Sequence, residues 1–441
     1  MTPARPCRNC RVCGSSWLRP VIDLGEQWLQ GAFVKPGRRP PPDRRWPLRL
    51  VRCDTARGGC GLLQLAISIA PEALYGDYWY RSGTNATMRD HLRGIARAAM
   101  ALCPAGRPAV LDIGCNDGTL LSCFPDAACR VGVDPSQAAA VDDGAMLIRA
   151  AFPDAPQLAD LPAAGFDVVT SIAMFYDLED PVAAAAAIAR LLRPGGVWIL
   201  ELSYLPLMLV QNAFDTICFE HLEYYSLRVL DHIAARADLR IFRAELNDSN
   251  GGSIRCYVCH AGEGGHGSAG DDAFLQALRR CEAALALDTD APYAAFQSRA
   301  GALRRDLMRL LAEVRAEGGT VHVYGASTKG NVLLQWCGIG RDIVACAADR
   351  NPEKVGACTL GTGIPIVSEE QSRALRPDWY LVLPWHFRRE FLARERAMVA
   401  AGTRLLFPLP RIEVIDASTV AAAAAAPPPD PLSLLGLSAT G

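Results

Sequence analysis

Between Val110 and Leu202 short apolar runs, AVLDIG, RVGVD, FDVVTSI and GVWILEL, alternate with segments of helical apolar period such as Pro181 to Leu192. Such runs read as strands, and their alternation with helices predicts βαβ units around a parallel sheet. A second alternation begins near Thr320 with TVHVYGAS, IVACAAD and WYLVLPW, each followed by helix-compatible sequence, and predicts a smaller α/β unit. Asp271 to Glu317, rich in Ala, Leu and Arg at a 3.6 period broken near Asp288 to Pro292, predicts two connecting helices. The first 65 residues are rich in Cys and Pro with few long apolar periods, and a small core of that kind needs a staple. From Val420 the stretch AAAAAAPPPDP and a Ser/Gly/Leu segment cannot bury a core, which predicts a disordered tail. The expected division is therefore 1–65, 66–245, a linking region of strands and helices at 246–318, 319–415, and a tail at 416–441.

Length changes this picture little, since 441 residues suggest about three domains. Charge excludes more. The 45 Lys+Arg against 47 Asp+Glu leave a formal net charge of −2, without the surplus positive charge that coating a nucleic acid requires. The local cluster from Arg38-Arg39 to Arg44-Arg45 is interrupted by Pro36 and Pro40 to Pro42 and reads as a solvated loop. Met1 to Arg11 carries three arginines and no apolar h-region, and no window approaches the ~20 apolar residues of a membrane span. A soluble cytoplasmic protein with mostly reduced thiols is expected.

Of the 16 cysteines, five lie in the first 60 residues. Cys10-x2-Cys13-Gly followed by Cys53-x6-Cys60-Gly offers four thiolates from two turns, a set suited to tetrahedral zinc, and Cys7-x2-Cys10 is a competing pair. Glycine after Cys13 and Cys60 supplies the free backbone a knuckle needs. Four sulfurs leave no open position, so the metal is expected to serve folding.

Val110-Leu-Asp112-Ile-Gly114-Cys115-Asn116-Asp-Gly118-Thr reads as a strand entering a glycine turn and a helix, and Asp134 closes the next strand twenty-two residues beyond Asp112. Glycines allow close approach of a cofactor, and an acid at that place can accept from ribose hydroxyls. The spacing departs from Gly-x-Gly-x-x-Gly, and Leu192-Arg-Pro-Gly-Gly196 precedes strand GVWILEL. These features favour S-adenosylmethionine (SAM) over a nicotinamide cofactor and weaken a dehydrogenase reading.

Phe219-Glu220-His221-Leu-Glu-Tyr224-Tyr225-Ser226 falls just beyond that strand, at the edge where open α/β sheets bind ligands. A neutral imidazole flanked by Glu220 and tyrosines is a candidate base. His386, in Leu-Pro-Trp-His-Phe, has the only comparably distinctive setting among the other histidines.

With its cysteine knuckles, LDIGCNDGTLL, EHLEYYS, Asn250-Gly-Gly-Ser-Ile-Arg255, Tyr324-Gly-Ala-Ser-Thr-Lys-Gly-Asn331 and Asp349-Arg-Asn-Pro-Glu-Lys354, the sequence resembles the sugar C-methyltransferase family over about residues 8 to 415. The resemblance implies a zinc-binding N-terminal module, a class I SAM methyltransferase domain with a Rossmann-like sheet, and a second Rossmann-like domain at the C-terminus. It implies methylation at C3 of a nucleotide-diphosphate-linked 4-keto-deoxyhexose, with His221 as base, Glu220 beside it, and Tyr80 or Tyr78 as the active-site tyrosine. Many relatives have polar residues immediately before the Glu-His pair, where this chain has Cys218-Phe219. The chemistry is consistent with the residues: a carbon beside a ketone is deprotonated to an enolate, which needs a base, a donor to the oxyanion such as Tyr80, Tyr224 or Tyr225, and an aligned methyl donor. The loop Gly325-Ala-Ser327-Thr-Lys329-Gly-Asn331 after strand VHVYG resembles a phosphate cradle without Walker A spacing. Lys329 is one of only three lysines. Ser327, Lys329 and Asn331 are expected to touch the substrate diphosphate or sugar, with Asn250, Arg255, Tyr224 and His386 in the same cleft. An O-methyltransferase on related sugars and a non-catalytic nucleotide-sugar-binding protein are the alternatives.

Overall fold

The computed structural model describes residues 4–75, 79–103, 106–160 and 165–437. Near the N-terminus β1 (Leu18–Gln27), β2 (Trp46–Cys53) and β3 (Leu63–Leu65) pair in antiparallel fashion. Leu24, Leu48, Leu50, Leu63 and Leu65 point into a dry core although the alternation along β1 and β2 is interrupted by prolines and arginines. The basic segment between β1 and β2 is irregular as expected, and its guanidinium groups lie over tryptophans, Arg38 on Trp79 and Arg45 on Trp28.

The central sheet begins with β4 (Ala109–Ile113), β5 (Cys129–Val133), β6 (Met146–Ile148), β7 (Phe166–Ile172) and β8 (Leu192–Ser203), all parallel. Helix α1 (Ala86–Ala101) precedes it, and α2 (Pro181–Leu191), capped by Asp180 on Ala183 N, links β7 to β8. The Pro-Gly-Gly turn lies inside β8, where pairing with β7 jumps from Phe166↔Leu192 to Val168↔Val197. A Cβ on Gly196 would come 2.8 Å from Phe166 O, so glycine permits this bulge.

After β8 the chain leaves the central sheet, and β9 (Glu223–Tyr224) pairs with β3, adding a fourth strand to the N-terminal sheet. Two strands then return, β10 (Leu239–Asn247) and β11 (Ser253–His260), giving the seven-stranded order β10-β11-β8-β7-β4-β5-β6 with β11 antiparallel between β8 and β10. The sheet therefore runs past residue 245, the boundary expected, because SIRCYVC is buried on both faces and completes it.

Helices α3 (Ala269–Ala284) and α4 (Ala291–Ala316) are the predicted pair, broken where expected. The third sheet holds β12 (Val321–Tyr324), β13 (Ala347–Asp349), β14 (Ile366–Ser368), β15 (Trp379–Val382), β16 (Arg404–Phe407) and β17 (Glu413–Ile415), in the order β14-β13-β12-β15-β16-β17. Only β17 is antiparallel. The tail departs from the expectation of disorder. Val420–Ala425 and Pro431–Leu434 are helical, Val420 is buried, and Leu434, Leu435 and Leu437 pack on the core that lies under the central sheet. Leucines spaced beyond the proline run find an apolar surface that composition alone does not reveal. Among the described residues no helix is long and apolar enough to cross a membrane.

Candidate active site

At the carboxyl end of β4 the chain turns through Gly114 (φ 75°), Asn116 (φ 48°) and Gly118 (φ 71°). A Cβ on Gly114 would meet Met174 Cγ at 2.7 Å, so this turn closes against the segment that follows β7. Asp112 Oδ1 accepts from Thr170 Oγ1 at 2.7 Å; burial, aided by the Asp134 charge, pushes its carboxyl up to about 7. Asp134 Oδ2 accepts from Asn116 N at 2.9 Å, and Oδ1 accepts from Ser136 N at 2.8 Å. Asp134 thus fixes the glycine turn. Cys115 lies beneath the turn, buried against Gly132.

The segment 79–83 runs alongside. Asn116 Nδ2 donates to Tyr80 O at 3.2 Å, Ser82 N donates to Asn116 Oδ1 at 3.1 Å, and Gly83 N donates to Asp117 Oδ2 at 2.8 Å. From the third sheet Asn351 Nδ2 donates to Trp79 O at 3.0 Å. Tyr80 is 48% exposed, and desolvation by the protein around it pushes the phenol up to about 12. Tyr78 lies outside the described residues.

His221 follows a short loop after the helical turn Phe214–Thr216. Its Nδ1 lies 2.8 Å from the Thr216 carbonyl, which can only accept, so Nδ1 carries the proton and Nε2 keeps its lone pair. The ring lies against Tyr176, centroids 4.3 Å apart, two residues beyond the Met174 that meets Gly114. Burial, with the Lys329 charge adding, pushes the imidazole down to about 3. Burial pushes the Glu220 carboxyl up to about 7, against the Thr328 hydroxyl and the Lys354 charge. A Cβ at Gly31 would overlap Glu220 Oε1, so the N-terminal module reaches the Glu-His pair. Gln30 also belongs to this contact, its Oε1 accepting from Phe219 N at 3.2 Å.

From the third sheet comes helix α5 (Thr328–Cys337). Ser327 is its N-cap, accepting from Gly330 N at 3.0 Å, and Asn331 Nδ2 donates to Gln30 O at 2.6 Å. Ser327 therefore serves its own helix, Asn331 holds the junction with the N-terminal module, and Asn331 Oδ1 stays buried without a partner. Lys329 Nζ donates to Asn250 O at 2.7 Å. Burial lowers its ammonium, the Asp215 and Cys218 charges opposing. Trp385 Nε1 donates to Asp215 Oδ2 at 2.9 Å, and next to it burial pushes His386 down to about 3. Asp215 Oδ1, Thr216 Oγ1 and His386 Nδ1 are buried without a hydrogen-bond partner.

Three sequence candidates are paired or enclosed within the protein. Arg255, on β11, is held by Glu201 with Nε at 2.8 Å from Oε2 and by Glu245. Tyr224 is buried in β9 with its hydroxyl unpartnered, and Tyr225 is wholly buried. Asp215, Thr216, Trp385 and the Gln30-Gly31 pair carried no motif signal. Asp215 and Thr216 precede His221 closely enough that a loop arriving at a base could have drawn attention to them.

In the N-terminal module the sulfurs of Cys10, Cys13, Cys53 and Cys60 all lie within 4.8 Å of one another. Gly14 (φ 75°) and Gly61 (φ 90°) turn the two knuckles, and a Cβ on Gly59 would strike Cys53 Sγ at 2.5 Å. Cys10 Sγ and Cys60 Sγ stand 3.5 Å apart, as do Cys13 Sγ and Cys53 Sγ, so the four sulfurs converge on one point. The competing residue Cys7 is outside this group, its sulfur accepting from Gln64 Nε2 at 3.2 Å. This donor set fits zinc.

The sheet order with its inserted antiparallel strand, the glycine turn and the paired acids define a SAM-dependent methyltransferase with a zinc-binding module. Residues 85–244 match the family profile "Methyltransferase domain", residues 10–75 "Putative zinc binding domain" and residues 248–410 "C-methyltransferase C-terminal domain". The chain is 30% identical over 433 residues to the C-methyltransferase NovU of Streptomyces niveus, covering 94% of this chain and 98% of that protein. It belongs to this C-methyltransferase family. A methyltransferase of Mycobacterium tuberculosis is 36% identical over 107 residues, 22% of this chain and 51% of its own length. Among solved structures, a methyltransferase in complex with the Trm112 activator of Haloferax volcanii aligns with a TM-score of 0.32 at 19% identity, over 41% of this chain and 95% of its own.

Proposed function

We propose that this C-methyltransferase transfers the methyl group of SAM to the carbon beside the ketone of a nucleotide-diphosphate-linked 4-keto-deoxysugar, at C3. The observation that carries the reading is the tautomer of His221. Its Nδ1–H is committed to the Thr216 carbonyl, so the neutral ring offers the lone pair of Nε2 as the proton acceptor. Nε2 takes the proton from C3, and the electron pair moves onto the carbonyl oxygen as an enolate. Burial holds the Glu220 carboxyl up at about 7, and in its ionised form it would offset the charge of the imidazolium that follows it in the chain. Tyr80, tied through its backbone to the cofactor turn, donates to the enolate oxygen. Gly114, Cys115, Asn116 and Gly118 would hold SAM, with Asp134 and Asp112 beside it and Asp134 accepting from the ribose; SAM would supply the methyl group as a sulfonium electrophile. Lys329, Asn250 and His386 face the substrate from the other side, where unpartnered Asp215 Oδ1 and His386 Nδ1 accept its hydroxyls or bridging waters. The four clustered cysteines hold zinc for folding, and no step uses it. A cytoplasmic site of action, where SAM and nucleotide sugars occur together, accords with this chemistry.

The test is turnover with SAM carrying a 13C methyl and a set of nucleotide-linked 4-keto-deoxysugars, read by NMR. The wild type is expected to place the label on a quaternary or tertiary carbon, and His221→Asn to fall by about 10²–10⁴-fold with SAM affinity retained. Label on oxygen, or a His221→Asn rate close to wild type, refutes the proposal.

A further inference from the structure

A second group of ligand-type side chains converges at the opposite end of the central sheet. Cys259 Sγ, a Glu263 carboxylate oxygen and a His266 ring nitrogen lie within 4.8 Å of one another. Cys259 is buried near the end of β11, and the other two sit on the glycine-rich connection Ala261-Gly-Glu-Gly-Gly-His-Gly-Ser268 that leads into α3.

This connection is pinned. Gly265 and Gly267 take φ of 90° and 84°, and a Cβ on Gly267 would come 3.0 Å from Phe242 O. Arg240 donates through one nitrogen to Glu263 O at 2.9 Å and His266 O at 3.4 Å, which ties the connection to β10 and leaves the guanidinium charge beside the group. The His266 ring stacks on Phe242, centroids 5.0 Å apart at 27°. Glu263 Oε1 accepts from Gly195 N at 2.7 Å, within the bulge that opens β8. Glu263 Oε2 is buried with no hydrogen-bond partner, and His266 Nε2, at 4.0 Å, is too distant to be one.

We propose that Cys259, Glu263 and His266 form a second metal site for a divalent transition-metal ion, zinc by its donor set. A thiolate, an imidazole and a carboxylate are the three zinc ligand types. Ligands at about 2.0–2.3 Å from a tetrahedral ion stand roughly 3.3–3.8 Å apart, so the group, its ligand atoms now within 4.8 Å of one another, closes on a metal with side-chain shifts of up to about 1 Å. Thiolate and carboxylate together cancel the charge of the ion, and Oε2 gains the partner it lacks. The Glu263 and His266 side chains are 22% and 16% exposed, which leaves an entrance and a fourth position for water. The β8 bulge lies at the end of the strand away from the cofactor turn, so the ion clips the connection to the sheet and takes no part in methyl transfer.

The test uses the full-length, tag-free protein. After equilibration with zinc and gel filtration, elemental analysis should find about two zinc ions per chain, and about one in Glu263→Gln and His266→Ala, both with unchanged SAM affinity. Glu263→Gln keeps the oxygen that accepts from Gly195, so loss of metal without loss of fold is readable. If the site empties during gel filtration, Co²⁺ added to the zinc-loaded protein should give tetrahedral visible bands and a thiolate charge-transfer band, the latter absent in Cys259→Ser. One zinc per chain with no cobalt bands, meaning that a water occupies the site, overturns the proposal. So do bands that persist unchanged in all three variants.

Discussion

Gly31→Ala isolates the contact between the N-terminal module and the Glu-His pair. Gly31 needs no left-handed backbone, so the new methyl acts through space: its Cβ would overlap Glu220 Oε1, with Glu220 Cδ and Thr328 Oγ1 each 3.2 Å away. To restore van der Waals contact the carboxylate must retreat by more than about 1 Å. The obstructing atom ends a flexible side chain, so the structural cost is modest: an off-rotamer Glu220 at about 0.5–1.5 kcal/mol and the weak 3.5 Å bond from Thr328. Stability should fall by about 1–2 kcal/mol in denaturant titration. Catalysis is more sensitive, since displacing a catalytic group by about 1 Å can cost about 10²-fold, or about 2.7 kcal/mol of barrier. The expected result is kcat down by about two orders of magnitude with SAM affinity within about twofold. In a Glu220→Ala background the same substitution should cost nothing more, because the two changes remove one interaction. A Gly31→Ala enzyme that folds and turns over within threefold of wild type refutes the reasoning, as would a full additive loss in the double variant.

Asp134→Asn removes a charge-assisted acceptor worth about 1.5–3 kcal/mol, and calorimetry should show SAM binding weakened by about 10–100-fold; unchanged affinity places the ribose elsewhere. Cys53→Ser should lose zinc by elemental analysis and unfold the N-terminal module, while Cys7→Ser keeps its metal. The folded His386 ring stays neutral to about pH 3, whereas an unfolded histidine takes a proton near 6.5. Its contribution is therefore whole above pH 6.5 and is lost as pH falls. Between pH 7.5 and 5 the wild type should lose about 2 kcal/mol more stability than His386→Gln; equal slopes would show that the ring titrates freely.

The two alternating regions and the helix pair between them were legible because each strand is a continuous apolar run and each helix keeps its period. The N-terminal sheet was not, since β1 reads LRPVIDLGEQ and β2 WPLRLVRC, with polar residues on the face that meets solvent and the metal knuckles setting the register. Local motif chemistry located the glycine turn, the cysteine cluster and His221. It could not tell which polar residues fold inward on their own neighbours: Arg255 has Glu201, Ser327 has its helix, and Asn331 has Gln30. Nor could it find Gly31 and Asp215, whose partners are supplied by chain far away in sequence.

Strand β9 fixes the order in which the molecule can be finished. Tyr224 pairs with Leu63, and Leu222 O accepts from Leu65 N at 2.8 Å, across about 160 residues of intervening chain. Closing a flexible loop of that length costs about 4–5 kcal/mol of entropy, which the short ladder alone does not recover. The residues of the cysteine-bearing sheet are therefore synthesised about 160 residues before its last strand, whose pairing must draw on contacts made by the rest of the chain. His221 stands two residues before that strand, so the base is positioned with the same pairing. A nascent chain halted before residue 224 would present a metal-stapled but unfinished sheet, and the enzyme becomes active only when its first and middle thirds have been stitched together.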